Sequence, residues 1–437
     1  MPLQFKPGFG PRDVMKEDFY LRENPFRISA IDNPDIEPPY DRKMYGEQYE
    51  EFCERFFLRP LMQDKNKQVI GAIWSSQSAS DWRGFGKSML MRQESKLICE
   101  DLGADLLRTH GVLEDDITQN AILAGYCTFD QAKEVKTFAS ALLDAVAFIL
   151  GQKYGGMTVH QELRRRIAAN LSAEAGFEGE AVARALRDKL RSYQSLNVQL
   201  NHKTLEKFID LLCRDDTASL ISEIRNGIGP RVKSTQGFNF VHVFNAYALL
   251  AGVVSITYFV DQIENFAKWA RNQDREIRVL RESMCATSPT AEMASFVFQM
   301  HISALQEIEG WWATTEHLPS LDFAVPINRS RIIDLKGLRT KEEAESLASR
   351  YLREFRLEHV GKTDPLHPFP KEVIAVVRDA TKGNPRKFLE TLGSILDNAV
   401  ADTRQTIDLV FVEPLLASDY QDDTDDLGDD DLENVER

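Results

Sequence analysis

Lys87 and Ser88 directly follow Gly84-Phe85-Gly86, at the start of a stretch whose apolar positions include Met89, Leu90, Leu97 and Ile98. Two glycines, a lysine and a serine at a helix start suit one ligand chemistry, that of phosphate. The glycines can take positive φ and let an anion approach the backbone. The lysine reaches β- and γ-phosphate oxygens, and the serine hydroxyl holds Mg²⁺. The candidate cradle is therefore Gly84, Phe85, Gly86, Lys87, Ser88 and Met89. The second requirement is a carboxylate at the end of a buried strand. Residues 255–260 (SITYFV) supply the strand, and Asp261-Gln262-Ile263-Glu264 follows it. Asp261 would join Ser88 in binding Mg²⁺, directly or through water, and Glu264 would orient an attacking water. Asp81 stands where the pattern G-x-x-x-x-G-K-[ST] has its first glycine, and the loop before Lys87 is longer than that pattern implies.

The elements around these groups alternate in type. Apolar runs at 69–74, 121–129, 255–260 and 294–302 read as buried strands. Helical periodicity follows Lys87, and residues 137–150 form a strongly apolar helix. Strand and helix in alternation predict an α/β core with a parallel sheet. The 294–302 strand would bring Gln299, His301 and Ser303 toward a terminal phosphate, although His301 serves equally well as a structural histidine. Residues 238–260 read as a buried helix followed by a buried strand. From 157 to 229 only amphipathic helical spacing is visible, as in Leu163, Ile167 and Leu171 or Leu205, Phe208 and Leu212. Arg164-Arg165-Arg166, Arg184, Arg187, Lys189 and Arg191 make this insertion locally basic, as solvated helix faces or as a nucleic-acid contact.

Composition bounds the function. The chain has 437 residues and a net charge of −15, which argues against coating nucleic acid with its whole surface. Much of the excess lies after residue 418, where aspartate and glutamate dominate and a disordered tail is expected. Five scattered cysteines without a C-x-x-C pair predict reduced core thiols and a cytoplasmic protein. No run of about 18 apolar residues is present, so no membrane span is expected.

Two later stretches carry a family resemblance. Residues 325–356 place Ser330-Arg331 before a short apolar run (Ile332, Ile333, Leu335), then Thr340 as the N-cap of a helix with Glu342 and Glu343 in its first turn. Residues 380–396 contain Gly383-Asn384-Pro385-Arg386, a helix stop followed by a helix start. With the glycine-lysine-serine turn and the Asp-Gln-x-Glu stretch, these resemble the AAA+ and STAND-like P-loop ATPases, in the branch of origin-recognition and transposition-regulator proteins. The resemblance covers roughly residues 65–155 and 240–415. It implies a P-loop core with a helical insertion and a C-terminal helical lid. It implies ATP and Mg²⁺ bound between subunits, with Arg386 reaching the γ-phosphate from the lid and Arg331, or Arg329 beside it, reaching a neighbour's site. Gln262 departs from the Glu that most members carry directly after the aspartate.

The division expected is an irregular arm at 1–43, a first core segment at 44–156, the insertion at 157–236, a second core segment at 237–336, the lid at 337–417 and the acidic tail at 418–437. The function implied is an ATPase whose homo-oligomer, a ring or filament, assembles with ATP and activates a separate nuclease- or transposase-like effector, with DNA a candidate ligand. The alternatives are a nucleotide switch in prokaryotic defence signalling and a slow, degenerate ATPase serving as a structural subunit.

Overall fold

The structure is a computed structural model that describes residues 13–27, 39–62, 68–75, 84–129, 137–171, 178–192, 203–232, 234–263, 279–280, 283–284, 289–299, 332–358 and 364–425. Its strands are β1 Ile70–Trp74, β2 Ala121–Thr128, β3 Lys153–Tyr154, β4 Met157–Thr158, β5 Val253–Asp261, β6 Ala294–Gln299 and β7 Ile332–Asp334. Five of them form one sheet in the order β2-β5-β6-β1-β7, and every pairing in it is parallel. β5 and β6 are buried along nearly their whole length, as parallel strands covered on both faces must be.

The order of the strands fixes where a ligand can sit. From β1 the chain passes to β2 at one edge of the sheet. From β6 it passes to β7, on the other side of β1. The connections leaving the neighbouring strands β1 and β6 therefore run in opposite directions. In an open parallel sheet such a reversal leaves a crevice at the carboxyl ends of the strands. Asp261 and Gln299 are the last residues of β5 and β6, so both lie at that edge.

The chain forms two compact units. The sheet unit comprises Glu47–Trp82 and Lys87–Leu335. Its Lys87–Asp101 helix lies on the connection from β1 to β2 and packs on β2. The Phe138–Gly151 helix follows β2 and is capped by Thr137, whose hydroxyl accepts from the Ser140 amide at 3.1 Å. The insertion contributes helices Val159–Asn170, Glu178–Ser192, Lys203–Cys213 and Thr217–Ser222. The β3–β4 hairpin spans the insertion's expected start at 157, a short strand pair that the helical spacing hides. Leu163, Ile167, Val182, Leu186, Phe208 and Leu212 share one apolar cluster with Leu142, Phe244 and Tyr258. The insertion is thus part of the sheet unit's core rather than a body of its own, because its apolar stripes have no other surface to cover.

Helix Ser234–Leu250 precedes β5 and carries an interior polar network. His242 donates through Nε2 to the Ser283 carbonyl at 2.6 Å, and its Nδ1 accepts from the Thr290 hydroxyl at 3.1 Å. Asn245 donates to the Thr290 carbonyl at 2.7 Å and accepts from the Tyr258 hydroxyl at 2.7 Å. These bonds anchor the segment that leads into β6. Burial pushes the His242 imidazole down to about 4 from its ordinary 6.5, against the opposing effect of its bond to the Ser283 carbonyl.

The second unit comprises Met1–Gly46, Arg83–Gly86 and Lys336–Arg437. Its helices include Lys341–Glu354, Lys371–Ala380, Pro385–Ala401 and Leu409–Asp425. Thr340 and Glu343 form a capping box at the first of these. Residues 13–27 are not an irregular arm. Val14–Glu17 is helical, and Leu21 makes an antiparallel bridge to Arg356. Asn24 donates to the Gly393 carbonyl and the Asp397 carboxylate, both at 2.9 Å. Phe26 lies against Tyr351 and Phe369, with ring centroids 6.0 and 5.9 Å away. Buried Phe19, Leu21 and Phe26 explain the order, since each finds an apolar partner that local periodicity cannot reveal. The acidic stretch also departs from the expected boundary at 418, because the Leu409–Asp425 helix runs on into it from its buried Phe411, Val412 and Leu416. Among the described residues, no helix is long and apolar enough to cross a membrane, and Cys53, Cys99, Cys127 and Cys213 are buried and form no disulfide.

Candidate nucleotide-binding site

In the sheet unit, Lys87 and Ser88 begin the helix after β1, and Asp261 ends β5. About 170 residues separate them in sequence, yet the fold brings them together. Asp261 is 1% exposed. Its Oδ2 accepts from the Tyr126 hydroxyl at 2.6 Å, and its Oδ1 accepts from the Gln262 amide at 2.9 Å. The Ser88 side chain also donates to this carboxylate, and the Lys87 ammonium lies close enough to act on it. Burial raises the Asp261 pKa, while the bonds from Tyr126, Ser88 and Gln262 and the charge of Lys87 pull it back. Burial and the neighbouring carboxylate push the Tyr126 phenol well above its ordinary range, so it acts as a donor.

Gln262 leaves β5 in a left-handed conformation, with φ +57°. A side chain larger than glycine adopts this region at a cost, and such strain collects at functional sites. The Gln262 amide is shared between Asp261 and the Gln299 Oε1, each at 2.9 Å. Gln299, singled out from sequence as facing a phosphate, thus braces the turn after Asp261. At the end of β1, the Ser75 hydroxyl is buried and has no hydrogen-bond partner among the described residues.

A buried carboxylate beside a serine hydroxyl is a pair of hard oxygen donors, the kind Mg²⁺ takes together with phosphate oxygens and water. An ammonium beside them and an unsatisfied hydroxyl at the end of β1 suit an anion at the same edge. The residues therefore fit a magnesium-bound phosphate ligand. A ready-made all-protein metal cage is a different matter: among the described residues no cluster of three or more His, Cys, Asp or Glu side chains could hold an ion.

In the second unit, Gly84 and Gly86 have φ +91° and +76°. A Cβ at Gly84 would lie 2.4 Å from the Arg386 Cβ and 2.8 Å from the Asn384 Oδ1; one at Gly86 would lie 2.8 Å from the Tyr45 hydroxyl. The turn is held by three polar contacts. The Arg386 amide donates to the Gly84 carbonyl at 3.2 Å, and the Tyr45 hydroxyl donates to the Gly86 carbonyl at 3.0 Å. Asn384 caps the Pro385–Ala401 helix by accepting from the Arg386 and Lys387 amides at 3.0 and 3.2 Å. Phe85 is buried, with its ring against Gly337. The Arg386 guanidinium meets Glu390 at 2.8 Å, with both side chains about half exposed. Met89 is half-buried on the Lys87–Asp101 helix.

Glu264, Arg331, Arg329, His301, Ser303 and Asp81 lie outside the described residues. The sequence reading missed Tyr126, which sits inside an apolar run. Only the β2–β5 register, with Thr128 opposite Asp261, sets it diagonally beside the carboxylate on the same face. Five arginines of the insertion are met by acids: Arg165 and Arg166 by Glu162, Arg164 by Asp215, Arg187 by Glu206 and Asp210, and Arg191 by Asp188. No protein-family model matches the chain, and no curated protein matches it.

Proposed function

We propose that this protein is a P-loop ATPase of AAA+ type, in which Mg²⁺-bound ATP sits at the carboxyl edge of the parallel sheet. The observation that carries this reading is the convergence of Lys87, Ser88 and Asp261 at the strand ends next to the β1–β6 reversal. Lys87 neutralises the terminal phosphates, while Ser88 and Asp261 hold the ion and fix its position. Magnesium, when bound, offsets charge on the phosphate oxygens and on the leaving group. Arg386 is the lid residue assigned to the γ-phosphate. Its present bond to Glu390 is an exposed i,i+4 pair of about 0.3–0.5 kcal/mol, which a phosphate easily outcompetes. Glu264 is assigned as the base and Arg331 as the residue reaching a neighbouring subunit. ATP binding then favours a homo-oligomer that activates a separate DNA-processing effector, by its difference in affinity for the assembled and free states.

A second reading is a slow nucleotide switch in defence signalling. It is favoured by Gln262, an amide where an acid would speed hydrolysis, with its backbone pinned by Asp261 and Gln299. Neutralisation of five arginines of the insertion by neighbouring acids also weighs toward a function without extensive DNA contact.

Two measurements test the proposal. ATP affinity by calorimetry should fall at least 100-fold in Lys87→Ala; an unchanged affinity would remove the claim. Sizing with and without a non-hydrolysable ATP analogue, then with DNA, separates the readings. Assembly on nucleotide that DNA leaves unchanged supports the switch, and assembly that DNA strengthens in a salt-dependent way supports the DNA-processing ATPase.

A further inference from the structure

Asp261 receives three donors, and they differ in what they can do when a metal arrives. The Gln262 amide belongs to the backbone and is shared with Gln299, so it stays. The Ser88 hydroxyl can keep its hydrogen on Asp261 while a lone pair takes the ion, so its place is tied to both groups. Tyr126 is the side-chain donor with no role at the ion itself; its bond goes to Oδ2 while the amide takes Oδ1. Its ring is held from behind by Phe148, with centroids 6.2 Å apart, and its backbone by the parallel register with β5. The hydroxyl therefore reaches Asp261 from a rigid support.

We propose that Tyr126 is a positioning residue for magnesium: it holds the Asp261 carboxylate in one orientation and offsets part of its buried charge, so that this carboxylate and the Ser88 hydroxyl face the ion together. This rests on the reading of Asp261 as the metal-holding carboxylate. Partners that orient a ligating carboxylate typically affect metal affinity by 10–100-fold. Losing Tyr126 should therefore act on the magnesium-dependent part of nucleotide binding and leave the magnesium-free part alone.

The test is calorimetric titration of the full chain with ADP, in Mg²⁺ and in EDTA, for wild type, Tyr126→Phe, Asp261→Asn and the double variant. Tyr126→Phe should weaken binding about tenfold or more in Mg²⁺ and leave Kd in EDTA within twofold. In the Asp261→Asn background it should add no further loss, since the group it acts through is gone. An equal loss in both media, no loss at all, or a full additional loss in the double variant would overturn the proposal. Should the phenylalanine variant fail to fold, Phe148→Leu loosens the tyrosine ring without deleting its hydroxyl. It should then show the same magnesium-selective loss at roughly threefold, and equal binding to wild type would overturn the proposal. A wild type indifferent to both Mg²⁺ and Asp261→Asn would instead remove the reading of Asp261.

Discussion

Acidification should weaken the sheet unit through one side chain, His242. In the folded chain its Nε2–H is committed to the Ser283 carbonyl and its Nδ1 to the Thr290 hydroxyl, so a second proton has no place to go. Burial accordingly holds its pKa at about 4, against an ordinary 6.5. Above pH 6.5 both folded and unfolded chains carry a neutral imidazole, and pH has no effect through this group. Between 6.5 and 4 the unfolded chain takes up a proton that the folded chain refuses, so stability falls with pH. Below 4 both states are protonated and the loss levels off. Linkage over this window gives a loss of about 2 kcal/mol at pH 5 and about 3 kcal/mol at pH 4, relative to pH 8. The amides of β5 and of the Ser234–Leu250 helix belong to the sheet unit, so urea unfolding followed by their exchange reports that unit selectively. With m about 2–3 kcal/mol/M, the midpoint should drop by about 1 M between pH 8 and pH 5 from this group alone. Other carboxylates and histidines titrate too, so the comparison is with His242→Gln. That variant starts less stable at pH 8 but should lack this part of the slope. Parallel pH profiles for wild type and variant would refute the reasoning.

Two further outcomes concern the second unit and are read by amide exchange. Gly84→Ala forces a Cβ onto a left-handed residue and to 2.4 Å from the Arg386 Cβ, so it should cost about 2 kcal/mol and speed exchange in the Pro385–Ala401 helix about 30-fold; wild-type rates would refute the clamp. Phe26→Ala removes a ring packed between Tyr351 and Phe369 and should cost about 3–5 kcal/mol, seen as faster exchange in the Lys341–Glu354 helix, and unaltered protection there would refute the packing.

What the chain reveals from sequence depends on whether the signal is local. The Thr340–Glu343 capping box, the Thr137 cap and the Asn384-Pro385 helix start are fixed by residues within a few positions of one another, and all are legible. The strands are legible as apolar runs with described edges displaced by one or two residues; the 255–260 run, for example, is the strand Val253–Asp261. Interactions fixed by register or tertiary packing are not legible. Tyr126 becomes a partner of Asp261 only once β2 lies beside β5. Gln299 becomes a brace for Gln262 only once β6 lies on the other side. The insertion reads as separate because its helices have their own periodicity, although their stripes complete a core that begins at the sheet.

The seating of residues 13–27 on the helices near the far end of the chain has a consequence for biosynthesis. Asn24 and its acceptor Gly393 are 369 positions apart. At about 5–20 residues per second, a ribosome needs roughly 20–75 s to travel from one to the other. Throughout that interval Phe19, Leu21 and Phe26 have emerged without the surface that covers them in the finished protein. This short apolar stretch therefore stays uncovered on the nascent chain until the last helices are made.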